Sequence, residues 1–89
     1  MASFKVTGSF TGTGASASVQ GKKVAVNLTF AGTATVDVEW QLDGTNWVAF
    51  DDGNFTATGQ KIYEGPSVPI RVNCTAHTND VTYTLISYS

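Results

Sequence analysis

Catalysis needs a nucleophile with a base, a pair of carboxylates, or a metal held in a concave site, and few residues of this chain have the right chemistry. The sole histidine, His77, precedes Thr78-Asn79-Asp80 on the polar parity of an alternating run. No sequence neighbour offers it a partner for general-base work, so it reads as a solvated residue at a strand end. Cys74, the single cysteine, falls on the apolar parity between Val72 and Ala76. It reads as a small buried hydrophobe, since a reactive thiolate wants an exposed, electropositive setting. One cysteine closes no internal disulfide, and one cysteine with one histidine falls short of four zinc ligands. Asp37 and Glu39 lie two apart on a strand, which sets their Cβ atoms roughly 7 Å apart. A glycosidase pair would tolerate that spacing, but on the wet face of an open sheet such charges serve solubility and discourage edge pairing. Asp43, Asp51, Asp52 and Asn54 cluster around two turn signals and offer oxygens to Ca²⁺, without the spacing of a calcium-binding loop. Asn27, Asn54 and Asn73 open Asn-x-Thr triplets, which a Thr-rich chain forms by chance. The expectation is a protein that is not an enzyme and carries no metal and no cofactor.

Aromatic residues make the better case for binding. Trp40 stands on core parity, whereas Trp47 follows a turn and takes the parity opposite to Val48 and Phe50. Exposed Trp and Tyr stack on sugar rings and anchor protein interfaces. The last strand has apolar groups on both parities, so it is either central or covered by a partner. Phe4, Phe10, Trp47, Tyr63, Ile86 and Tyr88 are therefore the expected contact residues.

These side chains must be held by strands. Thirteen Thr, ten Val and nine Gly with two Pro are a composition of strands joined by tight turns, and no window sustains a helical apolar period. Val24, Val26, Leu28 and Phe30 alternate with polar or small residues. After a turn at Gly32-Thr33, Val36, Val38, Trp40 and Leu42 do the same, so the two runs read as a hairpin with one buried and one wet face. Asp43-Gly44-Thr45-Asn46, Asp51-Asp52-Gly53-Asn54 and Thr78-Asn79-Asp80 read as turns, and Gly65-Pro66-Ser67 as a loop. Ile70, Val72, Cys74 and Ala76 form one apolar face, and Val81, Tyr83 and Leu85 another. Phe4, Val6 and Phe10 share a parity with Gly8 as a bulge or kink between them. Residues 1–21 read as an edge strand or a flexible arm.

At 89 residues the chain is one domain. Seven to nine short strands without a helix of consequence predict an all-β fold, a small antiparallel β-sandwich of immunoglobulin-like or jelly-roll-like type. Only 13% of residues are charged, and the formal net charge is −2. The basic clustering that tracks nucleic-acid phosphates is missing, so no nucleic-acid partner is expected. No apolar run approaches the ~20 residues of a membrane span, and the start, MASFKVTGSF, does not read as a secretory leader.

The stretch TATVDVEWQLDGTNWVAF, with GQKIYEGPSVPIRVNCTAHTNDVTYTLISYS after it, resembles small virion proteins of tailed bacteriophages. In those, an alternating strand runs into an Asp-Gly turn and a Trp. An Arg-Val strand then pairs through a short polar turn with a final Thr/Val-rich strand. Val36-Asp37-Val38-Glu39-Trp40 also looks like the core-tryptophan strand of immunoglobulin-like and fibronectin-type domains, without the immunoglobulin disulfide. The phage resemblance implies a non-catalytic capsid decoration (cement) or head–tail accessory protein. Such a protein is made in the bacterial cytoplasm, resides in the virion, forms homo-oligomers and contacts a capsid or tail protein. The alternative from the residues is a glycan-binding or receptor-binding module, with Trp47 and Tyr63 as a stacking platform and Asp51, Asp52 or Asn54 bonding hydroxyls.

Overall fold

A computed structural model describes residues 3–88. The chain forms seven strands: β1 (Ser3–Phe10), β2 (Gly14–Ala15), β3 (Val19–Phe30), β4 (Ala34–Trp40), β5 (Val48–Phe55), β6 (Gly59–His77) and β7 (Val81–Tyr88). There is no helix among the described residues, and every pairing is antiparallel. The strand order is β1-β7-β3-β6-β4-β5, with β2 also on β6.

The 19-residue β6 joins two layers. Its first part pairs with β3, and its second part, from Ile70 to His77, pairs with β4. The sheet folds over on itself, so Val24, Val26 and Leu28 of β3 and Val81 and Leu85 of β7 share one buried cluster with Val36, Val38, Ile70, Val72 and Cys74. This is the small β-sandwich that the alternation predicts, and most of the core is built from the residues read as inward-facing, with Phe10, Val19, Ala34 and Tyr63 added and Leu42 and Ala76 left outside it.

The connectivity differs from the expected one. β3 and β4 are not paired with each other, and neither are β6 and β7. The connections at 31–33 and 78–80 each carry the chain from one layer to the other. They are tied together where they cross: the N–H groups of Thr78 and Asn79 donate to the Thr33 carbonyl at 3.1 and 2.8 Å. Thr33 N–H in turn donates to Asn79 Oδ1 at 2.9 Å. Turn chemistry specifies reversal of the chain but not whether the next strand returns to the same layer. The β4–β5 connection is the hairpin that was expected around Asp43-Gly44, with Gly44 at φ +78°.

Two of the expected breaks are β-bulges inside continuous strands. Asp37 pairs with Asn54 and Glu39 with Ala49, so one residue of β4 faces the four residues 50–53 of β5. Gly21 pairs with Val68 and Lys23 with Glu64, so Lys22 faces Gly65-Pro66-Ser67. A third, smaller irregularity at Thr75 lets Thr35 pair with Ala76 but Val36 with Cys74. The first and third leave an odd excess of residues in one strand, which turns its later side chains to the opposite face. The second leaves an excess of two, and there the inward parity changes in both strands, with Val24 and Tyr63 buried on one side of it and Val19 and Ile70 on the other. Hence Tyr63 and Ile70 are both buried although their parities differ, and Ala76 is exposed rather than inward-facing. By contrast Gly8 marks no kink. β1 stays in register with β7 throughout, and the glycine makes room for the Tyr83 ring, which lies over it.

Candidate functional site

Three aromatic rings from three strands meet at one end of the sandwich. Trp40 ends β4, Phe50 stands at the β5 bulge, and Tyr63 precedes the β6 bulge. Trp40 and Phe50 have ring centroids 4.4 Å apart. Tyr63 presents near-perpendicular contacts to both, at 5.3 Å, the edge-to-face geometry that the ring quadrupoles favour. Burial raises the Tyr63 phenol above its usual pKa, and its hydroxyl donates to the Pro66 carbonyl at 3.1 Å. Lys61 lies over Phe50, 5.4 Å from the ring centroid, and its Nζ pairs with Asp52 Oδ1 at 2.8 Å. That hydrogen bond and charge hold the Asp52 carboxyl below its ordinary pKa.

Beside the rings runs an open groove of about 430 Å³, lined by Trp40, Leu42, Val48, Ala49, Phe50, Asp51 and Asp52. A smaller hollow of about 170 Å³ adjoins it, where Asp43 and Asn46 join Trp40, Leu42 and Val48. Leu42 is 55% exposed and Val48 58%, unusual for large apolar side chains standing together. The loop that carries Leu42 is braced. Asp43 Oδ1 accepts the N–H groups of Thr45 and Asn46 at 2.8 and 2.7 Å, which lowers the carboxyl pKa. Gln41 N–H donates to the Pro69 carbonyl at 3.1 Å. The result is an open apolar groove bordered by the carboxylates of Asp43, Asp51 and Asp52, the last of them already paired with Lys61.

A second array covers the outer face of β4 and β6. The Arg71 guanidinium stacks 4.2 Å from the Trp47 ring centroid, and its Nε donates to Glu39 Oε1 at 2.8 Å. Asn73 Nδ2 donates to Glu39 Oε2 at 3.3 Å, and Asn54 Nδ2 to Asp37 Oδ1 at 2.7 Å. Asp37 and Glu39 are thus each engaged in their own polar contact.

The expected contact residues divide by burial. Phe10 and Tyr63 are each 6% exposed and belong to the core of the single chain, so neither offers a surface to a partner. The Trp47–Tyr63 platform therefore does not form, and one face of Trp47 is covered by Arg71. Phe4 is 60% exposed. Ile86 and Tyr88 are half-buried on the outward side of β7, which is central, between β1 and β3. Sequence parity missed the groove because it assigned Leu42 to the core, yet Leu42 lies beyond the end of β4, and the adjacent Asp43-Gly44 turn was the available signal.

His77 is less solvated than expected: the Thr75 irregularity turns it inward, and its Nε2 lies 3.0 Å from Asp80 Oδ1. Cys74 is buried, which raises its thiol pKa, and its Sγ donates to the Ala76 carbonyl at 3.4 Å. Among the described residues, no three His, Cys, Asp or Glu side chains converge as a metal site would require. Compared with known proteins, the chain matches no family model, no curated protein and no solved structure.

Proposed function

We propose that this chain is a non-catalytic structural subunit of a tailed-phage particle, bound to a head or tail protein through the Trp40–Leu42–Val48–Phe50 groove. One observation carries the reading: two large aliphatic side chains, Leu42 on a braced loop and Val48 at the start of β5, are each more than half exposed and line a groove with Trp40 and Phe50. An exposed apolar patch held rigidly is the surface of a docking module, because little ordering entropy is lost when it is covered. The phage setting rests on the residue pattern of Thr33 to Tyr88. The engagement of Glu39, Arg71, His77 and Asp80 in contacts with one another or with neighbours accords with a structural role for the charged groups.

The test is co-sedimentation of the purified protein with separated heads and tails of the phage that encodes it. The wild-type chain is expected to bind one of the two, and Val48→Asp or Leu42→Asp to bind at least tenfold more weakly while melting normally. Undiminished binding by both variants removes the groove from the reading, and a wild-type chain that binds neither particle overturns the reading itself.

A further inference from the structure

Among the described residues, the longer unpaired strand edges are the outer edge of β5, the first part of β6 on the side away from β3, and the outer edge of β1, beside short ones at the two-residue β2 and the start of β3. Free edges template pairing with another chain unless they are blunted by charge, proline or bulges. The β5 edge carries the 50–53 bulge with Asp51 and Asp52, and the β6 edge carries Glu64, Pro66 and the bulge at 65–67. β1 has neither bulge nor proline: all eight of its residues run in unbroken register with β7, and Lys5 is its one charge. Its Phe4 is 60% exposed.

We propose that two copies of this chain pair antiparallel through β1, about a two-fold axis at Val6, merging their sheets. Opposed residues of such a pair must share a face, and the axis decides which charges meet. An axis at Lys5 would set Lys5 against its own counterpart. An axis at Val6 sets Lys5 opposite Thr7, Val6 opposite Val6, and Phe4 opposite Gly8 of the second copy. There Phe4 lies beside the Tyr83 ring that covers that glycine. The proposal rests on the reading that the chain acts through protein contacts, and it names one partner as a second copy of itself.

Sedimentation velocity over a concentration series at low salt tests it through Thr7, which is exposed and so tolerates substitution. Thr7→Lys creates two like-charge pairs with Lys5 across the axis and is expected to weaken the dimer roughly 2- to 30-fold, and Thr7→Glu to tighten it by a similar factor. Adding Lys5→Glu to Thr7→Lys restores association. Circular-dichroism melts verify that each variant is folded. A chain that is monomeric at every concentration, or a dimer indifferent to all of these changes, overturns the pairing. A monomer that still co-sediments with phage particles overturns the pairing alone, whereas a Thr7-sensitive dimer that binds no particle supports it and overturns the virion reading alone.

Discussion

Arg71 shows how much a single position contributes when its side-chain contacts come from two distant parts of the chain. Its side chain is 24% exposed and that of Glu39 12%, so the pair is shielded more than a surface ion pair but is not dry. Stacking on Trp47 fixes the guanidinium plane, and Asn73 helps hold the carboxylate. Arg71→Ala is expected to lower unfolding stability by about 1–3 kcal/mol, mostly because Glu39 then keeps a shielded charge without its cation. Adding Glu39→Gln recovers part of that loss. Urea titration of both variants checks it, and a loss under about 0.5 kcal/mol would assign the pair to the weak surface class. Alternation identified Glu39 as outward-facing and Arg71 as polar, but nothing along the chain placed Trp47, some twenty residues away, over that arginine. Cys74 and Val72, in contrast, were readable because local alternation sufficed.

Among the elements, the bulges decide which face a residue meets. Gly53 shows the steric requirement: a Cβ there would come within 2.9 Å of Phe50 Cβ and 3.0 Å of the Val38 carbonyl oxygen. The bulge lays β5 directly on β4, so Gly53→Val is expected to cost about 1–3 kcal/mol and to disturb the Trp40–Phe50 contact. Gly12→Ala, with open space around it, is the control and should stay within about 0.5 kcal/mol. Thermal melts followed by tryptophan fluorescence separate the two. The same bulges explain the misread elements. Asp-Asp-Gly and Gly-Pro-Ser are residues that accommodate a turn, and they accommodate extra residues in a strand equally well. From sequence the two outcomes look alike, and with the wrong one Tyr63 is placed outside.

For the whole molecule, the connections matter most. The β4–β5 hairpin keeps its strands in one layer, but β3–β4, β5–β6 and β6–β7 all cross, so neither layer is a contiguous segment able to fold first. The radius of gyration, 12.1 Å, equals the roughly 12 Å expected of a compact domain this long. Leu85 lies in the β7 layer, and both tryptophans are in or next to strands of the other. Leu85→Ala is expected to cost about 2–5 kcal/mol, with fluorescence and far-ultraviolet circular dichroism giving one shared midpoint. Separate midpoints would mean that the layers unfold independently. Residue order was enough to set the class of fold and most of the core, because strand alternation is a local property of period two and each β-branched run states its own buried face. It could not say which runs lie side by side, where extra residues are absorbed, or that Leu42 and Val48 stay in water beside Trp40. Those outcomes come from register and layer crossing, which bring together residues far apart along the chain through hydrogen bonds that every backbone carries alike.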